Sequence, residues 1–175
     1  MSRLSKDQWG IELAKVTAQR ATCLRRAVGC VLVNARGHVL ATGYNGVASG
    51  LPHCNEEQGG KLVGAFGGSL HMVPNHPHAC AGAKSPSGTN LDCCQAIHAE
   101  QNALMQCKDV HDIHTCYTTT SPCVTCVKLL MNTSCQRIVF WDLYPQPEAQ
   151  RLWETKWKSN ASWVHRHMFY DPNKV

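Results

Sequence analysis

Two short stretches of this 175-residue sequence hold residues able to do chemistry together: His98-Ala99-Glu100, and Pro122-Cys123-Val124-Thr125-Cys126. One imidazole and two thiolates form a ligand set suited to tetrahedral zinc with its fourth position open. The open position matters because it lets the metal turn water into a nucleophile near neutral pH. Glu100 stands two residues after the histidine, close enough to move protons without ligating the metal. Cys123 and Cys126 are three apart, so at the start of a helix both sulfurs fall on one face, where the helix dipole favours thiolate over thiol. A Cys-x-x-Cys alone fits structural metal or redox chemistry equally well, and a lone His-x-Glu says little. Taken together they point to a catalytic zinc, with a structural zinc as the alternative. The redox reading is weaker, because thioredoxin-like motifs follow the first strand and need no partner histidine.

The rest of the chain must bring these stretches together. Residues from about Lys6 to Thr22 read as a helix, with Trp9, Leu13 and Val16 on one face and Ile11, Ala14, Ala18 and Ala21 on another. Two strand-sized runs, Ala27 to Val33 and His38 to Tyr44, flank the turn Asn34-Ala35-Arg36-Gly37 and read as a hairpin. Gln95 to Cys107 reads as a helix with His98 and Glu100 in its first turns. His114 to Thr119 follows as a strand, and Ser121-Pro122 opens a helix running to about Met131. Then come a strand over Gln136 to Trp141, a helix over Glu148 to Lys158 and a last strand over Ser162 to Met168. The 25 residues from His98 to Cys123 leave room for one helix, a turn and one strand. That is a right-handed crossover in outline, and it brings two helix starts to the same end of a sheet. The alternation predicts a three-layer α/β/α fold with a central mixed sheet of about five strands. Residues 1–175 read as a single domain carrying a Gly/His/Cys-rich insertion at about 46–92.

Composition narrows the function classes. A net charge of +5 with no run of five like charges suits a small phosphorylated ligand and gives no support to a nucleic-acid stripe. The first ten residues, MSRLSKDQWG, carry no export signal, and no apolar run is long enough to span a bilayer, so a soluble cytoplasmic protein without membrane contact is expected. Eleven cysteines then read as metal ligands and free thiols, with Cys30, Cys107, Cys116 and Cys135 as core residues.

The two zinc stretches match the H-x-E…P-C-x-x-C pattern of zinc nucleobase deaminases. Together with Cys23-Leu24-Arg25-Arg26-Ala27-Val28-Gly29, Gly43-Tyr44-Asn45-Gly46, His98-Ala99-Glu100-Gln101-Asn102-Ala103 and Tyr144, they resemble the cytidine deaminase superfamily, and within it the deoxycytidylate deaminases. The resemblance spans roughly Gln8 to Tyr144 and implies a cytidine-deaminase-like fold. It implies zinc on His98, Cys123 and Cys126, attack of water on C4 of the cytosine ring, and Glu100 as the proton shuttle to N3 and to the departing ammonia. The reaction so implied is dCMP to dUMP, a precursor for dTTP synthesis. The resemblance assigns the Ala99 backbone N–H to the base carbonyl and Tyr144 to stacking on the ring. Asn45 is assigned to the sugar or base, Ser121 to the substrate pocket, and Arg25 and Arg26 are candidates for the phosphate. The bland alternatives are a strand cap for Tyr144, a turn residue for Asn45 and a solvated pair for the arginines.

The resemblance further implies regulation at Gly43, Tyr44, Asn45 and Gly46, with dCTP activating, dTTP inhibiting, Mg2+ on the triphosphate, and a homo-hexamer. Cys23, Cys54 and Cys93 look like the ligands of a second, structural zinc in some members. His53 is a fourth candidate there, as are Cys94, Cys80 and His78. Two other functions stay open: deamination of another small cytosine nucleoside or nucleotide, and a non-catalytic zinc scaffold subunit. The presence of Glu100 argues against the scaffold, since a structural site needs no proton shuttle.

Overall fold

The computed structural model describes residues 3–54, 93–157 and 162–166, with 62–64, 70–72, 80, 82–83, 85–86 and 88–90 between them. The chain divides into two compact units. One contains residues 1–21, 27–45 and 97–175, and the other residues 22–26 and 46–96.

In the first unit, helix α1 (Lys6–Ala18) begins at a reciprocal cap. Ser5 Oγ accepts the Gln8 N–H at 3.2 Å while Gln8 Oε1 accepts the Ser5 N–H at 2.9 Å. The helix stops at Ala18, four residues short of the sequence expectation, and its buried side is the Ile11, Ala14 and Ala18 face. Trp9 and Val16 lie exposed on the other. Strands β1 (Gly29–Val33) and β2 (Val39–Tyr44) form the expected hairpin. Asn34 builds its turn, the side-chain oxygen accepting the N–H groups of Arg36 and His38, while Gly37 takes a φ of +90°.

The remaining elements are α2 (Ala99–Gln106), β3 (Thr115–Thr120), α3 (Val124–Met131), β4 (Arg137–Asp142), α4 (Pro147–Trp157) and β5 (Ser162–His165). They complete a five-stranded sheet in the order β2-β1-β3-β4-β5. The pairs β2–β1 and β1–β3 are antiparallel, whereas β3–β4 and β4–β5 are parallel. The mixed sheet of five strands is therefore as expected. Positions 158, 167 and 168, at the ends of the expected last helix and strand, lie outside the described residues, as does His78.

Strand alternation sorts the core into two layers. Cys30, Leu32, Cys116, Ile138 and Phe140 pack against Ala99 and Ala103 of α2, Val127 and Leu130 of α3, and Ala149 and Trp153 of α4. Val31, Val33, Tyr117 and Val139 face the opposite way, onto Ile11 and Ala14 of α1. A strand covered on both faces is apolar throughout, which is why β1 reads GCVLV with no polar member. Cys30, Cys116 and Cys135 are fully buried as expected, while Cys107 ends α2 half-buried.

In the second unit, Leu62–Gly64 pairs antiparallel with Leu70–Met72. Cys54, Cys80 and Ala83 form a small buried cluster with Val47 and Cys94 against it.

Candidate active site

The site is built at two helix starts. Helix α2 begins later than the sequence suggested, because Ala96–Ile97 is extended. His98 consequently sits at the cap of α2 (φ −70°, ψ 155°) and not inside it. Cys123 caps α3 in the same way (φ −73°, ψ 169°). Extended caps swing both side chains across the helix ends, where free N–H groups and the dipole favour negative sulfur. Cys126, one turn into α3, completes the set.

His98 Nδ1 lies 3.4 Å from the sulfurs of both Cys123 and Cys126. Tetrahedral zinc, with bonds of about 2.3 Å to sulfur and 2.0–2.1 Å to nitrogen, sets such N···S pairs about 3.5 Å apart. Both N···S separations therefore match those the ion requires. Among the described residues these three are the only group of three or more metal-capable side chains whose ligand atoms all lie within 4.8 Å of one another. Cys123 is primed as thiolate: a hydrogen bond from Cys126 holds its pKa at about 4 against the cost of burial, with help from His98. The shared proton correspondingly pushes Cys126 upward.

Glu100 is the second residue of α2 and is 4% exposed. Burial pushes its carboxyl above the ordinary value, opposed by a hydrogen bond from its own backbone N–H and by the nearby His98. Ala99, the first residue of α2, is fully buried, and its N–H belongs to the set that no helical carbonyl satisfies.

The other residues singled out in the first unit gather into one scaffold. Asn45 is 7% exposed, and its Oδ1 accepts the Val28 N–H at 2.8 Å. Ser121 Oγ accepts the Tyr144 N–H at 2.7 Å, which fixes the backbone that carries the tyrosine. Gly43 has a packing reason. A Cβ there would stand 2.3 Å from the Ala99 carbonyl oxygen and the Ala103 nitrogen, so only glycine lets α2 lie this close to β2.

In the second unit, the Arg25 guanidinium donates to the carbonyls of Pro86 and Thr89. Cys54 shares a hydrogen bond with Cys80 and feels Cys23 and Cys94, and burial pushes its thiol up to about 12. Cys80 also bonds Cys94. Cys93, by contrast, is exposed, and its carbonyl accepts from the Cys80 thiol at 3.4 Å.

Three supporting residues escaped the sequence reading. Gln101 Oε1 accepts the His98 N–H at 2.9 Å. Asn102 Nδ2 donates to the Tyr44 carbonyl at 2.7 Å, which ties the Gly43–Asn45 segment to α2. Gln146 Oε1 accepts the Val124 N–H at 3.2 Å, at the start of the helix that carries both cysteines. Gln101 and Asn102 stand inside the His98–Ala103 motif, but nothing in the spacing announces Gln146, which is 22 residues from its partner.

Comparison with known proteins agrees with this geometry. The family described as "Cytidine and deoxycytidylate deaminase zinc-binding region" matches residues 4–142. Deoxycytidylate deaminase of Schizosaccharomyces pombe is 35% identical over 144 residues, which is 81% of this chain but 38% of the yeast protein. The chain thus spans well under half the length of that relative. Deoxycytidylate deaminase of Mycobacterium phage D29 is 35% identical over 142 residues, 80% of this chain and 97% of the phage protein. The crystal structure of dCMP deaminase from cyanophage S-TIM5, in complex with dCMP and dUMP, shares the fold with a TM-score of 0.61 and 20% identity, covering 94% of this chain and 98% of that one. With its zinc-ligand triad inside the matched region and a phage relative aligned along nearly its whole length, the chain belongs to the cytidine and deoxycytidylate deaminase family.

Proposed function

We propose that this protein hydrolyses dCMP to dUMP and ammonia. The observation that carries the reading is a buried Glu100, its carboxyl raised above the ordinary value by burial, two residues after the histidine of a His98–Cys123–Cys126 triad. Held by that triad, zinc supplies the Lewis acidity that makes water nucleophilic at neutral pH. Glu100 accepts the water proton and gives it to ring N3 as the new C4–O bond forms. It then carries the second proton to the exocyclic nitrogen, the C4–N bond breaks, and ammonia leaves while C4 becomes a carbonyl. A carboxyl that must both take and give a proton works best with a pKa above the usual range, and burial provides that. The free N–H of Ala99 holds the C2 carbonyl of the base, the Tyr144 ring stacks on it, and Asn45 and Ser121 line the sugar side.

The test is ammonia release from dCMP, deoxycytidine and CMP, with the zinc content measured. Fast turnover confined to dCMP supports the proposal. Turnover of deoxycytidine alone would make the enzyme a nucleoside deaminase, and zinc-loaded protein silent on all three would make it a scaffold.

Regulation is part of the proposal: Gly43, Tyr44, Asn45 and Gly46 carry a nucleotide effector site in a homo-hexamer, with Mg2+ on the triphosphate. Turnover raised by dCTP and lowered by dTTP supports this, as does a six-chain mass by light scattering. The segment's bond to Asn102 of α2 gives an effector a route to the helix bearing Glu100. We also propose a second, structural zinc within residues 22–26 and 46–96. Its candidate ligands are Cys23, Cys54 and Cys93, with His53, Cys80 or Cys94 as the fourth; Cys54 shares a hydrogen bond with Cys80, which in turn bonds Cys94. Two zinc ions per chain, falling to one in Cys54→Ser, is the expected result. All eleven cysteines are free thiols, which suits a reducing compartment such as the cytoplasm. No helix among the described residues is long and apolar enough to cross a membrane.

A further inference from the structure

The zinc triad lies beyond the C-terminal ends of β3 and β4. At the opposite end of the same sheet a cavity of about 880 Å3 opens where α1 starts, β1 ends and β3 and β4 begin. Its lining is cationic: Arg3, Lys6, Arg36 and Arg137 surround it, together with His114 and the indole of Trp9. Among the described residues the salt bridges are Lys15–Glu12 and the pairing of Asp7 with Arg137 and Arg166, so Arg3, Lys6 and Arg36 enter none. At the rim Asn34 donates to the Asp112 carboxylate at 3.1 Å. Arg137 pairs with Asp7, which leaves Arg3, Lys6 and Arg36 around one concavity with no salt bridge among the described residues. Such a gathering costs self-repulsion and focuses a positive potential. His114 registers that field: burial first, then Arg137 and Lys6, hold its imidazole below the ordinary histidine value.

We propose that this cavity binds a nucleoside polyphosphate, its phosphates held by Arg3, Lys6 and Arg36 and its base resting on Trp9. Guanidinium forks match phosphate oxygens, and the volume is that of a nucleotide-sized ligand site. An indole 38% exposed supplies a flat face beside the charges. A concave site of this size suits a small molecule better than a strand of nucleic acid, which needs an extended groove. The site is separate from the zinc triad and from the Gly43–Gly46 segment, at the far end of β2, and it stands or falls independently of the proposed reaction.

The experiment uses the full-length, zinc-loaded protein with ATP and inorganic tripolyphosphate as probes. Binding is followed by calorimetry and by the imidazole NMR signals, with that of His114 assigned by its loss in His114→Gln. Saturable binding of both probes should raise the apparent pKa of His114, because a bound polyanion reverses the local field. The double variant Arg3→Glu/Arg36→Glu should weaken both probes at least tenfold while ammonia release from dCMP stays unchanged. Trp9→Leu should weaken ATP several-fold and leave tripolyphosphate unaffected. An unmoved His114 signal at saturating probe, or equal affinity in the charge-reversed variant, overturns the proposal. So does binding seen only with single-stranded oligonucleotides. Because the readouts are binding and a histidine signal, a protein that fails to deaminate dCMP can still pass or fail this test.

Discussion

Glu100 and Asp7 are carboxylates buried almost equally, 4% and 7% exposed, within one compact unit, yet the protein pushes them in opposite directions. Among the described residues no Lys or Arg bonds Glu100, so burial dominates and its pKa rises. At Asp7 burial also opposes ionisation, but hydrogen bonds from Arg137 and Arg166, and the phenol of Tyr117, outweigh it and hold the carboxyl down. The difference separates two uses of a buried acid. One, on the proposed reading, is kept able to exchange protons. The other is locked as an anion that joins α1, β3, β4 and the residue after β5.

The largest effect should come from breaking the proposed proton carrier. Glu100→Gln keeps the shape and the zinc ligands but removes the proposed proton carrier, so dCMP turnover should fall by about 10³-fold or more. Zinc content and thermal midpoint should stay close to wild type. A variant that still turns over at more than a tenth of the normal rate would show that another group moves the protons.

Asp7→Asn tests the other half. It should cost about 2–4 kcal/mol of stability, near the low end for breaking a buried ion pair, because Arg137 and Arg166 remain about a third exposed. Turnover per folded molecule should hardly change, which separates structural from catalytic acid. The pH dependence carries a definite sign. Because the folded pKa of Asp7 lies below its ordinary value of 3.8, its stabilisation is complete above that value and is lost as pH falls through the folded pKa. Urea midpoints of wild type and Asp7→Asn should therefore differ at neutral pH and converge in acid. A gap that stays constant down to pH 2 would mean that the ion pairs contribute nothing.

How much of this contrast could be read from sequence follows from distance along the chain. His98, Glu100, Cys123 and Cys126 announced themselves because metal chemistry restricts residue type and local helix geometry restricts spacing. The five strands were legible because apolar runs bounded by turns leave few alternatives. The hub at Asp7 was not, since its arginine partners lie 130 and 159 residues away and residue type alone does not single them out. The start of α2 was misjudged for a different reason. Periodicity cannot distinguish a residue in a first turn from one at the cap, and Ala96–Ile97 had the extended conformation that puts His98 at the cap. The cationic cavity needed four elements to converge, so its residues looked like scattered surface charge.

A smaller effect tests whether the catalytic end depends on support as the hub does. Gln146 accepts the Val124 N–H, one of the four amides that α3 cannot satisfy internally. Gln146→Leu leaves that amide without its partner and should cost about 1 kcal/mol, the usual scale for losing a helix cap. The loss falls on the helix start that aims Cys123 and Cys126, so zinc retention under chelator should weaken several-fold and kcat should drop modestly, with KM for dCMP little changed. Gln146→Glu keeps an acceptor at that position, and it should restore both zinc retention and kcat if the hydrogen bond is what matters. Equal losses in the two variants would assign the effect to packing around residue 146 and remove Gln146 from the set of positioning residues.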